Sequence, residues 1–141
     1  MSIKAKFAQG AVALVLAGAS VVGISGGASA SPNASYIGYN HVTSGAPVWC
    51  VQHSLNHIID QHRWPQAYGN PPFGKIAEDS SWGNQTYQTV KWYQAWATGS
   101  GPDGVVGPQT GQLLLNDGDP YYNGTSWGGW GYCWNYIPSS Y

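Results

Sequence analysis

The sequence predicts a small all-α domain of three helices, built as a first helix followed by two loop–helix repeats, with a Gly- and aromatic-rich C-terminal tail. Three observations predict this class. An apolar stripe with helical spacing begins at Pro47, a loop motif that starts at Asp79 recurs at Asp103, and Gly- and Pro-rich turns separate the periodic segments.

The first 30 residues have the features of a signal peptide. Lys4 and Lys6 supply a positive start, residues 11–22 are apolar, and the small residues 28–30 form a cleavage site. The apolar run is shorter than the roughly 20 residues that a membrane span needs. We therefore expect residues 1–30 to be removed and a secreted protein with no membrane contact to remain. An uncleaved anchor is the alternative.

The composition of the remaining chain argues against a nucleic-acid partner and leaves two possible roles for its aromatic residues. It carries three basic residues, Arg63, Lys75 and Lys91, and six acidic ones, whereas nucleic-acid binding takes a clustered basic surface. We therefore expect no nucleic-acid partner. All eight Trp residues lie in this part of the chain, either as a rigid core or as a ligand surface.

Cys50 and Cys133 are the only two cysteines. In an exported protein an even number predicts a disulfide bond, here one that closes a loop of more than 80 residues. In the chain-entropy description such a loop contributes about 4–5 kcal/mol. A free reactive thiol is the alternative.

The first helix is predicted to begin at Pro47, since proline suits a first helical position. Its apolar stripe is Val48, Val51, Leu55, Ile58 and Ile59, with Cys50, His53 and His57 on the opposite face. Residues 31–46 lack periodicity and are expected to form a flexible leader. Residues 60–78 form a long connection of the kind that often carries function.

The internal repeat is the most informative feature of the chain. In each unit Asp opens a turn by accepting backbone N–H bonds, Gly permits unusual backbone angles, and Thr lies in the first turn of the next helix. The second helix is predicted to run to about Gly99 and the third from about 108 to 116. The predicted turn residues are Asp79, Gly83, Thr86, Asp103, Gly104, Gly107 and Thr110.

These residues resemble the three-helix peptidoglycan-binding domain family found on bacterial cell-wall hydrolases. The first helix matches the pattern apolar-x-x-apolar-Gln-x-x-Leu at 48–55, and residues 103–110 match Asp-Gly-x-apolar-Gly-Pro-x-Thr. Residues 79–86 match the middle unit, but Ser80 replaces its second-position Gly. The resemblance covers about 47–115, so we assign 47–116 to a peptidoglycan-binding-like domain and 117–141 to an aromatic tail. The long connection and the tail depart from the family pattern.

With the predicted export, the resemblance implies a cell-wall-associated monomer that binds peptidoglycan non-covalently, through stem peptide or glycan strand. We favour the long connection as the contact, because Arg63 suits the carboxylates of stem peptides and Trp64 and Tyr68 lie near it. The tail is the rival surface. Aromatic residues at every second position, 130, 132, 134 and 136, predict a strand with one aromatic face. Trp130 and Trp134 are its candidate ligand-binding residues. Trp92 and Trp96 share a helix flank and pose the same choice between packing and binding.

Catalysis, metal binding and cofactor binding are not predicted. His53 and His57 have ligand spacing, but no zinc motif completes them. Glu78 and Asp79 are adjacent and point apart, whereas glycosidases need two facing carboxylates. We therefore expect a binding protein that is not an enzyme. The alternatives are a small secreted wall hydrolase with an unrecognised site and an interaction protein that kept the fold without wall binding.

Overall fold

The computed structural model describes residues 34–125 and 129–140, and over them the chain has the predicted all-α architecture. Two short 3-10 turns and a two-residue antiparallel ladder, β1 (Gly124–Thr125) with β2 (Gly129–Trp130), accompany the helices. No helix in this part of the chain is long and apolar enough to cross a membrane. The helices are α1 (Ala46–Asp60), α2 (Asn84–Ala97), α3 (Pro108–Asp117) and the one-turn α4 (Pro120–Asn123).

The central element is α1, which is buried on nearly every side. The predicted apolar stripe is buried, and so are Cys50 and Asn56 on other faces. Two additional layers cover those faces: the long connection, whose Ile76 N–H donates to Asn56 Oδ1 at 2.8 Å, and the tail, which contacts α1 around Cys50. Val90 on α2 and Leu114 on α3 are fully buried.

The segment before α1 is part of the packed domain, although the sequence predicted a flexible leader over 31–46. Ile37 is fully buried, and its backbone exchanges two hydrogen bonds with Val106, at 3.1 and 2.8 Å. The loop ahead of α3 presents backbone groups that need partners, and this segment supplies them. The predicted signal peptide, residues 1–30, lies outside the described residues.

The two loop–helix repeats share one hydrogen-bonding device, a glutamine on the preceding helix. Gln52 Nε2 on α1 donates to Asp79 Oδ1, the Ser81 carbonyl and Thr86 Oγ1 at 3.0–3.1 Å. Its Oε1 accepts from the backbone N–H of Ser80 at 3.0 Å. One buried amide therefore fixes the whole loop.

Gln94 on α2 repeats this arrangement in the second unit. Its Nε2 donates to Asp103 Oδ1, the Val105 carbonyl and Thr110 Oγ1, and its Oε1 accepts from the Gly104 N–H at 2.8 Å. Each Asp also accepts a backbone N–H two residues on, as the sequence predicted. The repeat is thus a glutamine-clamped loop feeding a helix.

The position after each Asp has a left-handed backbone. Gly104 has φ of 77°, and a Cβ there would lie 2.1 Å from the Tyr87 ring. Ser80 has φ of 62° at the equivalent position. The departure from the family pattern at Ser80 therefore keeps the same turn at some cost in backbone strain.

The tail is bonded to α1 through the predicted Cys50–Cys133 disulfide, but its conformation differs from the predicted strand. Only Gly129–Trp130 is paired, and Tyr132–Asn135 forms a 3-10 turn. In the turn, rings four residues apart meet: Trp130 with Trp134 at 4.9 Å and Tyr132 with Tyr136 at 5.1 Å between centroids. A single aromatic face is therefore wrong, since Trp134 is buried while Trp130 and Tyr132 are exposed.

Candidate functional site

An open groove of about 360 Å³ lies where the N-terminal part of α1 meets the tail. Its lining is Ala46, Trp49, Ser80, Tyr122 and Tyr132. The size is at the low end of the range for small-ligand sites, roughly 300–1,000 Å³. Three of the five lining residues are aromatic, and none carries a charge.

The disulfide and α4 bring the three rings together from distant parts of the sequence. Trp49 precedes the bonded Cys50 on α1, and Tyr132 precedes the bonded Cys133 in the 3-10 turn. The Trp49 ring meets Tyr122 edge-on at 5.2 Å and 74°, and Tyr132 at 6.2 Å and 78°. Edge-to-face geometry of this kind is favourable for aromatic pairs. We call Trp49, Tyr122 and Tyr132 the aromatic groove.

His53 supports this groove from within the domain. Its ring stacks on Trp49, with centroids 4.8 Å apart and planes at 9°, and it meets the Tyr122 ring edge-on at 4.7 Å. Its Nδ1 lies 3.0 Å from Glu78 Oε2 and its Nε2 lies 3.1 Å from Asp119 Oδ2. Two carboxylate partners favour the doubly protonated ring, which donates from both nitrogens.

We call His53, Glu78 and Asp119 the histidine clamp, because it joins three segments. His53 belongs to α1 and Glu78 ends the long connection. Asp119 is the N-cap of α4, where its Oδ1 accepts the Tyr121 N–H at 2.9 Å. Asn56 strengthens the clamp by donating to Glu78 Oε1 at 2.9 Å. The sequence analysis considered Glu78 beside Asp79 and rejected the two as a catalytic pair, and the structure shows Glu78 paired with His53.

The clamp shifts the pKa values of His53 and Asp119 in opposite directions. Partial burial alone would lower the pKa of His53, but hydrogen bonds and charge from Glu78 and Asp119 outweigh it and raise that pKa. Burial alone would raise the pKa of Asp119, yet the Tyr121 N–H and His53 hold it below its usual value. Outside the clamp, in the loop that precedes α2, the hydrogen bonds from the Gln52 side chain and the Ser81 N–H lower the pKa of Asp79.

These shifts predict that the free energy of unfolding is highest between the ordinary carboxyl pKa of 3.8 and the ordinary histidine pKa of 6.5. The raised His53 pKa gives stability that is present below 6.5 and lost as pH rises through the folded value. The lowered Asp119 and Asp79 pKa values give stability that is lost as pH falls below 3.8. Urea unfolding across pH 3 to 9 measures this, with His53→Gln as the comparison. A decline above pH 6.5 that persists unchanged in His53→Gln would contradict the assignment to His53.

The structure divides the residues predicted to bind ligand among three places. Trp92 lies between Trp64, at 5.3 Å and 74°, and Trp96, at 5.8 Å and 72°, and its Nε1 donates to the Gly69 carbonyl at 3.1 Å. This cluster packs the long connection onto α2. Trp130 and Trp134 lie together in the tail.

Arg63 and Tyr68 are exposed on the long connection. Asp60, at the start of the same connection, pairs with Lys75 at 2.7 Å. The predicted residues therefore do not assemble into one site.

The aromatic groove and the histidine clamp were missed by sequence reasoning. Their members are separated by up to 83 positions, from Trp49 to Tyr132, and carry no shared motif. The one available signal was the position of Trp49 and Tyr132, each directly before a cysteine of the predicted disulfide. Among the described residues, no group of three or more His, Cys, Asp or Glu side chains is placed to hold a metal ion.

The chain matches no protein-family model, no curated protein and no solved structure. What it does is therefore inferred from its own residues and their arrangement.

Proposed function

We propose that this chain is a secreted, non-catalytic protein that binds bacterial peptidoglycan, with the aromatic groove as its contact surface. The observation that carries the proposal is the groove itself. It is an open, uncharged, ring-lined depression on a domain whose loop motifs resemble those of peptidoglycan-binding domains. Aromatic side chains give large contact area at low entropic cost, and they are enriched where proteins bind ligands.

The glutamine-clamped repeats support the domain assignment. Gln52 stands at the Gln of the pattern apolar-x-x-apolar-Gln-x-x-Leu, and Asp103, Gly104 and Thr110 stand in the motif that carries the resemblance. All of these residues take part in one repeated hydrogen-bonding arrangement. The motif therefore has a mechanical reason in this chain, which supports the proposed resemblance.

The arrangement of the acidic groups supports binding without catalysis. Glu78 and Asp119 are both hydrogen-bonded to His53, so these two carboxylates beside the groove hold the tail in place. A wall hydrolase would use an acid and a base placed to reach the scissile bond. Secretion follows from the signal-like start and agrees with the buried disulfide.

The proposal predicts that the protein without residues 1–30 co-sediments with purified peptidoglycan and leaves it intact. Pelleting of the protein measures binding, and the turbidity of the wall suspension measures hydrolysis. Complete recovery in the supernatant would favour an interaction protein that kept the fold without wall binding. A steady fall in turbidity would instead favour the hydrolase.

A further inference from the structure

We infer that the aromatic groove binds the neutral sugar rings of the glycan strand and not the stem peptide. The inference rests on the proposed peptidoglycan binding and names the part of the polymer that is contacted. It also moves the contact from the long connection, which the sequence favoured, to a surface built jointly by α1 and the tail.

The lining of the groove matches a sugar in its chemistry. Sugar rings present apolar C–H faces, whose hydrogens are weakly positive and meet the negative faces of aromatic rings. Trp49, Tyr122 and Tyr132 supply such rings. Sugar hydroxyls also need hydrogen-bonding partners, and the hydroxyl groups of Ser80 and the two tyrosines can both donate and accept.

The charges beside the groove disfavour a stem peptide. Stem peptides end in carboxylates, which proteins usually bind through Arg or Lys. No basic residue lines this groove, and the adjoining histidine clamp sets two carboxylates, Glu78 and Asp119, against one imidazolium. That local excess of negative charge repels a carboxylate-bearing ligand and leaves a neutral one unaffected.

The groove is also held in shape before any ligand arrives. Trp49 is stacked on His53 and lies next to the disulfide, and Tyr122 follows the capped start of α4. A ring that is already fixed loses little rotational freedom when a ligand packs on it, so less of the contact energy is spent on ordering. Rigid rings suit the shallow contacts that a sugar offers.

The test is a titration with a neutral, peptide-free probe, the trimer of N-acetylglucosamine, against a soluble stem pentapeptide. Binding is followed by nuclear magnetic resonance shifts of the Trp indole N–H groups. The decisive variant is Tyr132→Ala. Its control is Tyr39→Ala. Tyr39 is 43% exposed and makes one tilted ring pair at 5.2 Å, while Tyr132 is 53% exposed and makes a similar tilted pair at 5.1 Å in addition to its edge-on contact with Trp49 in the groove.

We expect the trimer to bind the native protein and Tyr39→Ala equally, and to bind Tyr132→Ala roughly ten-fold more weakly, which corresponds to the loss of one stacking contact. Binding of the pentapeptide, with loss on Arg63→Ala and none on Tyr132→Ala, would overturn the inference and restore the long connection as the site. Walls that sediment the protein while the trimer shows no binding would overturn the inference and leave the proposed function standing. The trimer could also bind in a way that depends on Tyr132 while purified walls fail to sediment the protein. That outcome would support a sugar site in the groove and reject peptidoglycan as the polymer that it binds.

Discussion

Removal of the Cys50–Cys133 disulfide is expected to lower the free energy of unfolding by about 4–5 kcal/mol. The two cysteines are 83 positions apart, so the bond constrains most of the unfolded chain. Small domains have total stabilities of roughly 5–15 kcal/mol, and this loss would be a large fraction of that. Both cysteines are fully buried between α1 and the tail, so their packing is lost as well.

Urea unfolding of Cys50→Ala/Cys133→Ala against the oxidised protein measures this effect. The reduced native sequence is the matched control, because it keeps both sulfur atoms and loses only the constraint. We expect both forms to unfold at lower urea and the tail to become sensitive to protease before the helices do. An unchanged unfolding midpoint in the reduced protein would show that the tail is held by other contacts.

The helices and the disulfide could be predicted because their signals are local or compositional. The apolar stripe from Val48 to Ile59 and the Pro108 start signal need no knowledge of distant residues. The cysteine pairing follows from having only two cysteines. The same local method could not place Ile37, whose burial depends on a backbone pairing with Val106 far along the chain.

The tail misled the sequence analysis for a physical reason. Rings at every second position satisfy a strand period, but they also place pairs of rings four residues apart, as a helical turn requires. In the structure, Cys133 bonds to Cys50 from within the 3-10 turn Tyr132–Asn135. Trp134, in the same turn, is buried next to the disulfide-bonded Cys133. The groove and the histidine clamp depend on this turn, so the site could not be assembled until the tail was placed.

Replacement of the clamping glutamines tests whether the repeat is as structural as its geometry implies. Gln94→Leu keeps the volume of the side chain but removes both donor and acceptor. It leaves the buried Gly104 N–H and the Thr110 hydroxyl without their partner. Each buried polar group that loses its hydrogen bond costs about 1–3 kcal/mol, so for these two groups we expect a loss of about 2–6 kcal/mol.

Gln52→Leu should cost less than Gln94→Leu, because the loop that Gln52 clamps is the more exposed of the two. Asp79 and Ser81 are exposed, and the Ser80 N–H is only partly buried. Water can therefore replace some of the hydrogen bonds that the Gln52 amide makes to this loop. The matched control is Gln85→Leu on α2, where the side chain is exposed and the change is expected to stay within about 0.5 kcal/mol. Urea unfolding of the three variants orders them. Equal stability of Gln94→Leu and Gln85→Leu would mean that the loop before α3 holds its shape through the Asp103 turn alone, and that the glutamine is dispensable.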